Sequence, residues 1–353
     1  MIIGKAVATR GHSPYASRQR SADAANEGEK PLTGVFITWE RHRRAREIST
    51  ALGMPLLELV SSGSGPVRYA QLLIRTTAYL ARTRPRHVVV QCPSVVLSAW
   101  TALLRPLLRY ALIVDLHNEA VEPFINKSAL HWCLLRRIHR AADLSIVSND
   151  PLVAVVKANG GRATVLPDRI PAIGRPSSLG EPSARSVVYV CTFAPDEPYE
   201  QVIAAAALLS DGTTVYVTGR KPQNAVLPAL PTNVRLTGFL PDAEYEQQLR
   251  DAAVIVDLTS MENCLVCGAY EAVALGKPLV TSDTAALRRH FRRGTIYTSH
   301  DPESLATAIQ TALQQGRTLA AEMETLRREL ESEWVDQFAA LVATAAALPH
   351  RSM

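Results

Sequence analysis

Cysteine is scarce in this 353-residue chain, and its five cysteines are too scattered to build a disulfide framework. We therefore expect a reducing, cytosolic environment. Long apolar runs are also missing: no stretch of about 18 uninterrupted apolar residues occurs, which argues against a membrane-spanning helix. Residues 1–30 lack the apolar segment of a secretory signal and are predicted to form a disordered arm rich in Ser, Ala and Arg.

Glycine-rich loops that cradle phosphates are absent too. The first predicted strand, residues 34–38, leads into a predicted helix without glycines at the turn, which excludes a dinucleotide-binding fingerprint. Residues 61–65 contain Gly-Ser-Gly but lack the Lys and Ser/Thr of a P-loop. Cys264 and Cys267 form a pair without the second pair that a zinc site needs, so we interpret them as packing residues. No metal and no cofactor is predicted.

The composition is that of a soluble globular protein, with 47% hydrophobic and 20% charged residues. The length predicts two domains of about 150 residues each. Strands and helices alternate along both halves, which is typical of parallel α/β sheets. We predict two Rossmann-like domains that face each other across a cleft, over residues 31–174 and 187–325, joined by a linker rich in Pro, Gly and Ser at 175–186.

The most informative stretch is residues 254–291. A β-branched strand at 254–258 is followed by polar residues and then by a predicted helix that starts at Cys264 and stops at Gly276, before a further strand. Such a crossover unit places its loop and helix start at the carboxyl edge of a parallel sheet, where helix N–H groups attract anions. Glu271 lies within this helix, and its carboxylate is able to accept hydrogen bonds from both hydroxyls of a ribose.

Residues 271–282, Glu-Ala-Val-Ala-Leu-Gly-Lys-Pro-Leu-Val-Thr-Ser, resemble the EAMA-G-P-V segment of family-four glycosyltransferases, which have the two-domain GT-B fold. Two strand-and-turn segments earlier in the second domain are similar to that family as well. In the family two glutamates are separated by seven residues: the second binds the ribose of the nucleotide, and the first contacts the donor sugar. Glu271 matches the second, whereas Asn263 stands in the place of the first and Glu262 lies one residue earlier.

The resemblance also implies a diphosphate site. In the family an arginine and a lysine near the first strand of the second domain neutralise the donor diphosphate, but residues 192–197 contain neither. We predict that Arg220 and Lys221, at the end of a neighbouring strand, replace them, helped by the amides after Ser260. The implied donor-binding residues are Ser260, Glu262, Asn263, Cys264, Leu265, Glu271, Arg220 and Lys221.

Two landmarks of the first domain, residues 90–94 and 114–118, resemble the VQNPP and DWHN segments of the β-mannosyltransferases that build the lipid-linked chitobiose core. Glycosyl transfer needs a carboxylate or imidazole to take the acceptor's proton, or polar groups that stabilise an oxocarbenium-like sugar. Such groups cluster where the second landmark ends. The candidate catalytic residues are Asp115, His117 and Glu119, with the choice among them open; turn capping and a satisfied histidine are the structural alternative.

Other polar side chains follow the strands of the first domain at the same edge. At the end of the first strand, where glycines are missing, a cluster of charged and imidazole groups stands instead. Contact with the acceptor or with phosphate is one interpretation of this edge, and an inert solvated cluster is the other. The acceptor-side candidates are Glu40, Arg41, His42, Ser94 and Asn118.

The excess of positive over negative charge is confined to the first half of the chain. Residues 1–174 hold 23 Lys and Arg against 12 Asp and Glu, whereas residues 175–353 hold 15 against 21. Two predicted helices around 100–109 and 130–140 interleave basic with aromatic and aliphatic residues, a pattern typical of helices lying on an anionic membrane surface. A solvated arginine-rich surface is the alternative. No nucleic-acid-binding motif accompanies the charge, and no nucleic-acid partner is predicted.

These features together predict a GT-B glycosyltransferase that moves a sugar from a nucleotide-sugar donor to a glycan acceptor, most simply one linked to polyprenyl diphosphate. We expect it to be peripheral on the cytoplasmic face of a membrane and to act in polysaccharide or glycan biosynthesis. A helix over residues 326–353 is expected to pack back on the first domain, as in GT-B proteins. A sugar-nucleotide epimerase of the same fold and a catalytically inactive membrane-docked scaffold remain the alternatives.

Overall fold

The structure is a computed structural model, and it describes residues 32–61, 63, 65–92, 94–123, 128–174, 185–223 and 227–349. These are the described residues below. The predicted N-terminal arm and nearly all of the predicted linker lie outside them.

The first domain is built on a six-stranded parallel sheet. Its two central strands are buried on both faces and consist mostly of β-branched and aliphatic residues, as a sheet covered by helices on both sides requires. In chain order the strands are β1 (Gly34–Thr38), β2 (Leu56–Glu58), β3 (His87–Cys92), β4 (Ala111–Leu116), β5 (Leu144–Val147) and β6 (Ala163–Val165), and their spatial order is β2-β1-β3-β4-β5-β6. The connecting helices are α1 (Arg43–Ala51), α2 (Gly65–Thr83), α3 (Val95–Leu108), α4 (Asn118–Val121), α5 (Ala129–Ala141) and α6 (Asp150–Ala158).

The second domain repeats this plan with another six-stranded parallel sheet. Its strands are β7 (Ser186–Tyr189), β8 (Thr214–Thr218), β9 (Val234–Gly238), β10 (Val254–Asp257), β11 (Leu279–Ser282) and β12 (Thr295–Thr298), in the order β12-β11-β10-β7-β8-β9. Its helices are α7 (Tyr199–Ala206), α8 (Asp242–Asp251), α9 (Cys267–Leu275), α10 (Ala285–His290) and α11 (Pro302–Gln314).

Each sheet has one point at which the strand order reverses. In the first sheet this switch lies between β1 and β3, and in the second it lies between β7 and β10. Loops diverge there at the carboxyl ends of the strands, and open α/β sheets bind ligands in the crevice that results. Contacts between residues that follow β4 and residues that follow β10 show that the two carboxyl edges face each other.

Helix α12 (Gly316–Ala346) packs against both domains. Its first half packs into the core of the second domain through residues such as Met323 and Leu326. Its second half packs against β1, β3 and β4 of the first domain through Trp334 and Leu341. Trp334 Nε1 donates a 3.2 Å hydrogen bond to the carbonyl of Pro167, which anchors the helix to the end of the first domain.

Several element limits differ from the sequence-based ones. Helix α9 starts at Cys267 instead of Cys264, because Leu265 and Val266 are buried in an extended approach to the helix. Helix α1 starts at Arg43 instead of residue 39, and α12 is one uninterrupted helix from Gly316 across the expected boundary at 325. Among the described residues, no helix combines the length and the apolar character needed to cross a bilayer.

Candidate active site

Glu271, the fifth residue of α9, lies where the second domain meets the first. Only 7% of its surface is exposed. Its Oε2 accepts a 2.6 Å hydrogen bond from the hydroxyl of Tyr245 on α8, and its Oε1 lies 3.7 Å from Nη1 of Arg43 on α1 of the other domain. Burial raises the pKa of Glu271, against the opposing effects of Tyr245 and Arg43. The carboxylate therefore points toward the domain interface, with one oxygen fixed by Tyr245.

The start of α9 is held close to the sheet by Asp257, the last residue of β10. Its Oδ2 accepts a 2.6 Å hydrogen bond from the amide of Gly268. A Cβ at position 268 would lie 2.7 Å from this oxygen and 2.7 Å from the side chain of Val190, so the close approach requires glycine. Burial raises the pKa of Asp257 well above its usual range. Sequence reasoning missed this carboxyl group, although a polar residue that ends an apolar strand is a usable signal.

The loop after β10 is tied to the loop after β7 by Asp196. Thr259 Oγ1 donates a 2.6 Å hydrogen bond to the Asp196 carboxylate, and Ser260 Oγ donates a 2.9 Å bond to its carbonyl. The Ser260 amide donates to the same carbonyl. The predicted donor-binding residue Ser260 thus lies at the switch point between β7 and β10, with its hydroxyl and its amide bound to Asp196.

Asn263 links the two domains. Its carbonyl accepts hydrogen bonds from the side-chain amides of Asn118 at 3.2 Å and Asn149 at 2.8 Å, both from the first domain. Its own side-chain amide donates a 2.7 Å bond to Glu122. Asn118 is fixed further by Ser148, whose hydroxyl donates to its Oδ1. A predicted donor-side residue and a predicted acceptor-side residue therefore meet directly.

The other predicted residues of this loop are placed differently. Glu262 accepts a 3.0 Å hydrogen bond from the amide of Ala285 at the start of α10, so its carboxylate is engaged within the second domain. Cys264 is half-buried, and burial raises the pKa of its thiol to about 12. Leu265 is buried in the core beneath α9. Cys264 and Leu265 thus pack beneath the loop, whereas Cys267, the other cysteine of the pair, is exposed.

The turn after β7 has an acid at its centre. The Glu197 carboxylate accepts hydrogen bonds from the amides of Thr192 at 2.8 Å and Ala194 at 2.9 Å, and from the Thr192 hydroxyl at 2.8 Å. The predicted replacement cations, Arg220 and Lys221, are exposed just after β8. The Arg220 guanidinium lies 5.9 Å from the centre of the Phe239 ring.

Asp115 was expected to be a candidate catalytic residue, but the structure places it out of reach. Its side chain has no exposed surface, and Arg44 donates to both of its oxygens at 3.0 Å through Nε and at 2.9 Å through Nη2. Arg44 also donates a 2.7 Å bond to Asp168. Burial acts to raise the pKa of Asp168, yet the charge and hydrogen bond of Arg44 hold it below its usual range. This buried triad is structural, and Asp115 is removed from the candidate bases.

His117 belongs to a chain of hydrogen bonds at the edge of the first sheet. The hydroxyl of Thr38 lies 3.0 Å from Gln91 Oε1, and Gln91 Nε2 lies 3.2 Å from His117 Nε2. With the Gln91 amide in this orientation its nitrogen donates to His117 Nε2, which corresponds to an imidazole proton on Nδ1. Burial lowers the pKa of His117, which keeps the ring neutral at pH 7.

His42 packs edge-on against His117, with ring centres 4.7 Å apart. Burial and the neighbouring imidazole lower its pKa. Its Nδ1 is buried without a hydrogen-bond partner among the described residues. The structure thus brings together one predicted catalytic residue and one predicted acceptor-side residue.

The remaining candidates lie around this pair. Glu40 and Arg41 are exposed between β1 and α1, and the Glu40 amide donates to the Thr38 hydroxyl. Ser94 caps α3 through its hydroxyl, which accepts from the amide of Leu97. Glu119 is exposed in the first turn of α4.

The two helices predicted to form a basic surface, α3 and α5, expose only some of their basic and aromatic side chains. Arg105, expected on that surface, instead donates to the Ala141 carbonyl and pairs with Asp143, and Trp100 Nε1 donates to Thr77. Exposed apolar side chains nevertheless remain on α2, α3 and α5, and α3 packs against the other two helices. They are Val67, Ile74, Leu103, Leu107 and Leu130, and Leu107 and Leu130 are each 77% exposed.

Besides Asp257, sequence reasoning missed three side chains that shape the site: Arg44, Gln91 and Tyr245. Gln91 lies near the end of an apolar strand and could have been found by that signal. Arg43 was part of the charged cluster after the first strand for which contact with phosphate was one interpretation, whereas Arg44 lies in a basic run typical of a solvated helix face. Among the described residues, no group of three or more His, Cys, Asp or Glu side chains is arranged to hold a metal ion.

Comparison with known proteins identifies a family match in the second domain and a fold match over most of the chain. Residues 184–315 match the family model of the glycosyl transferases group 1. This match covers nearly the whole second domain. No curated protein is similar enough in sequence to count as a match.

Solved structures resemble the whole chain. Sucrose-phosphate synthase from Thermosynechococcus elongatus has a TM-score of 0.69 at 15% identity, covering 96% of this chain and 94% of its own. HepE from Anabaena, in complex with UDP and glucose, has a TM-score of 0.67 at 14% identity, covering 90% of this chain and 100% of its own. A glycosyltransferase from Rickettsia africae has a TM-score of 0.65 at 10% identity, covering 91% of each chain. The predicted GT-B fold and the predicted glycosyltransferase class are confirmed.

Proposed function

We propose that this chain, a GT-B glycosyltransferase whose second domain belongs to the group 1 glycosyl transferases, moves a sugar from a nucleotide diphosphate donor to the hydroxyl of a polyprenyl-diphosphate-linked glycan. The observation that carries the proposal is Glu271, which faces the domain interface from α9 with one oxygen held by Tyr245. Structures of HepE with UDP and with UDP-glucose support a uridine nucleotide as the first donor to test.

The donor lies at the switch point of the second sheet in this proposal. The Glu271 carboxylate accepts the ribose hydroxyls, and the loop from Ser260 to Asn263 borders the sugar. The two oxygens of a carboxylate suit the two adjacent hydroxyls of a ribose, because each hydroxyl donates one hydrogen bond. Protein cations, not a metal ion, neutralise the diphosphate as it leaves.

The acceptor hydroxyl lies on the first-domain side, near His42 and His117. His117 carries its proton on Nδ1 and so donates a hydrogen bond to a substrate oxygen, while Gln91 blocks its other nitrogen. His42 is neutral and has an unpartnered Nδ1, which makes it the better proton acceptor. Glu119 remains a second candidate for that role. Glu40, Arg41, Ser94 and Asn118 border the acceptor in this arrangement.

The lipid-linked acceptor is supported by the first domain's outer surface. The exposed apolar side chains of α2, α3 and α5 lie among exposed arginines such as Arg136 and Arg137. An interface of this kind binds anionic membranes by burying apolar groups and attracting headgroups. It places the enzyme peripherally on the cytoplasmic face, where a polyprenyl-linked glycan would be presented.

A donor panel tests the proposal. Purified protein is incubated with UDP-, GDP-, ADP- and dTDP-sugars, with and without a polyprenyl-diphosphate-linked glycan, and the products are separated by mass. A glycosyltransferase consumes donor and extends the acceptor, whereas an epimerase converts donor without acceptor and an inactive scaffold does neither. Glu271→Ala is the matched variant: it should abolish nucleotide binding in calorimetry with an unchanged circular dichroism spectrum, and unchanged affinity would reject the assigned site.

A further inference from the structure

Several acidic side chains lie on the donor side of the interface. Burial raises the pKa of Asp257, the most buried of them, and the negative charges of Glu197, Glu271 and Asp196 raise it further. A diphosphate brought to this edge adds two or more negative charges. Electrostatic stabilisation of a leaving diphosphate requires cations or aimed donors, and the turn after β7 offers an acid in their place.

The first domain supplies a cation at this position. Arg43 is the first residue of α1, and its side chain is 42% exposed. Its Nη1 lies 3.7 Å from Glu271 Oε1, and its Nε lies 3.6 Å from Glu47. Cys267, the first residue of α9, is another close electrostatic neighbour. The guanidinium therefore lies beside Glu271 and within electrostatic range of Cys267.

Its contacts leave Arg43 available to a ligand. Both distances are longer than the 2.7–3.2 Å of a hydrogen bond, so neither carboxylate holds the guanidinium tightly. The adjacent Arg44 differs in this respect, because its donors are committed to Asp115, Asp168 and the Leu166 carbonyl. Arginine also matches the geometry of phosphate oxygens through its planar fork of donors.

We infer that Arg43 binds the diphosphate of the donor across the interface and adds its positive charge to that of Arg220 and Lys221. When the ribose hydroxyls occupy Glu271, the arginine exchanges its loose carboxylate partner for the phosphate oxygens. The nucleotide is then held by both domains at once, and its binding is coupled to their closure. This inference rests on the proposed function, because it assigns the diphosphate of that same donor.

Calorimetry of ligand pairs tests the assignment. UDP and uridine are titrated into the full chain, the Arg43→Ala variant, the Arg43→Lys variant and the control Arg46→Ala, which removes an exposed arginine paired with Glu58 on the same helix. We expect Arg43→Ala to weaken UDP binding by about 10- to 100-fold, the loss of one or two charge-assisted hydrogen bonds. Uridine affinity should not fall, Arg43→Lys should restore part of the UDP affinity, and Arg46→Ala should change neither.

Repeating the Arg43→Ala measurement in a Glu271→Gln variant distinguishes a direct contact of Arg43 with the diphosphate from an effect that acts through Glu271. In Glu271→Gln the carboxylate partner is gone, so a merely positioning Arg43 would no longer matter there. We expect the UDP loss from Arg43→Ala to persist in this background. Equal losses for UDP and uridine, or no loss in Glu271→Gln, would overturn the inference while leaving the donor site intact. If the unmodified chain binds neither UDP nor GDP, ADP or dTDP, the proposed function itself fails.

Discussion

The hydroxyl of Tyr245 donates a 2.6 Å hydrogen bond to Oε2 of Glu271, joining α8 to α9 at the interface of the domains. The bond fixes the rotation of the carboxylate and directs its other oxygen toward the first domain. A buried carboxylate whose ion pair with Arg43 spans 3.7 Å needs such a partner, because an unsatisfied buried oxygen is costly. Tyr245 thus holds the Glu271 carboxylate in a fixed orientation in the absence of a ligand.

Tyr245→Phe should therefore weaken nucleotide binding through the ribose alone. Loss of one hydrogen bond to a charged group predicts a fall in UDP affinity of about 10-fold. Calorimetry with UDP and with its 2′,3′-dideoxy analogue provides the measurement, and only UDP should respond. Tyr297→Phe is the control, because its hydroxyl donates to the Phe291 carbonyl elsewhere in the second domain. Equal losses for both ligands would mean that Tyr245 supports the fold of the pocket and not the carboxylate.

The fold could be predicted from the sequence because local residue patterns determine its strands and helices. Buried strands such as β3 and β10 are short β-branched runs, and helix α9 ends at Gly276, whose φ of 68° suits glycine. Glu271 could be identified because its surrounding segment resembles a known family. Each of these signals lies within a dozen residues of chain.

The contacts between domains were not accessible in the same way. Arg43 meets Glu271 across more than half the chain, and Asn263 meets Asn149 across 114 residues. No local periodicity encodes such pairs, since they depend on how two complete domains are placed. Asp115 shows the opposite error: a polar residue at a strand end suggests a substrate contact, but Arg44, 71 residues earlier, neutralises it within the core.

The buried triad predicts a stability effect with no direct role in binding. Arg44→Met leaves Asp115 and Asp168 without their cation in the core, and breaking a buried pair in this way costs about 3–5 kcal/mol. Urea unfolding should show a matching drop in the free energy of unfolding. Arg46→Met, which breaks an exposed pair with Glu58, should cost less than about 1 kcal/mol. Similar losses in the two variants would contradict a buried structural triad.

The direction of the Gln91 hydrogen bond predicts a change in the pH profile. In the native chain the pKa of His117 is lowered by burial, so the ring stays neutral until the pH falls below the ordinary histidine range. The carboxylate introduced by Gln91→Glu would accept a hydrogen bond from Nε2–H and stabilise the imidazolium, raising that pKa by about 1–3 units. As the pH falls, the variant should therefore lose activity at a higher pH than the native enzyme does.

The turnover rate of Gln91→Glu should fall near pH 7, because a positively charged His117 lowers the pKa of the neighbouring His42 and weakens it as a proton acceptor. Gln91→Met is the control: it removes the amide without adding charge, so its acid limb should stay near that of the native enzyme. A pH–rate profile of kcat for all three proteins provides the measurement. An unshifted acid limb in Gln91→Glu would show that His117 protonation does not limit the reaction.

The outer surface of the first domain predicts membrane binding that depends on both apolar and basic groups. Leu107 and Leu130 are each 77% exposed, so replacing both by glutamine removes apolar surface without opening the core. Burying part of two leucines in the interface is worth enough for the double variant to bind about 10-fold more weakly. Sedimentation with phosphatidylglycerol vesicles measures this affinity, and binding of the native chain should also fall as salt screens the arginines. The matched control Leu208→Gln with Leu230→Gln, on the second domain, should bind like the native chain; a loss of equal size there would assign the binding to general hydrophobicity.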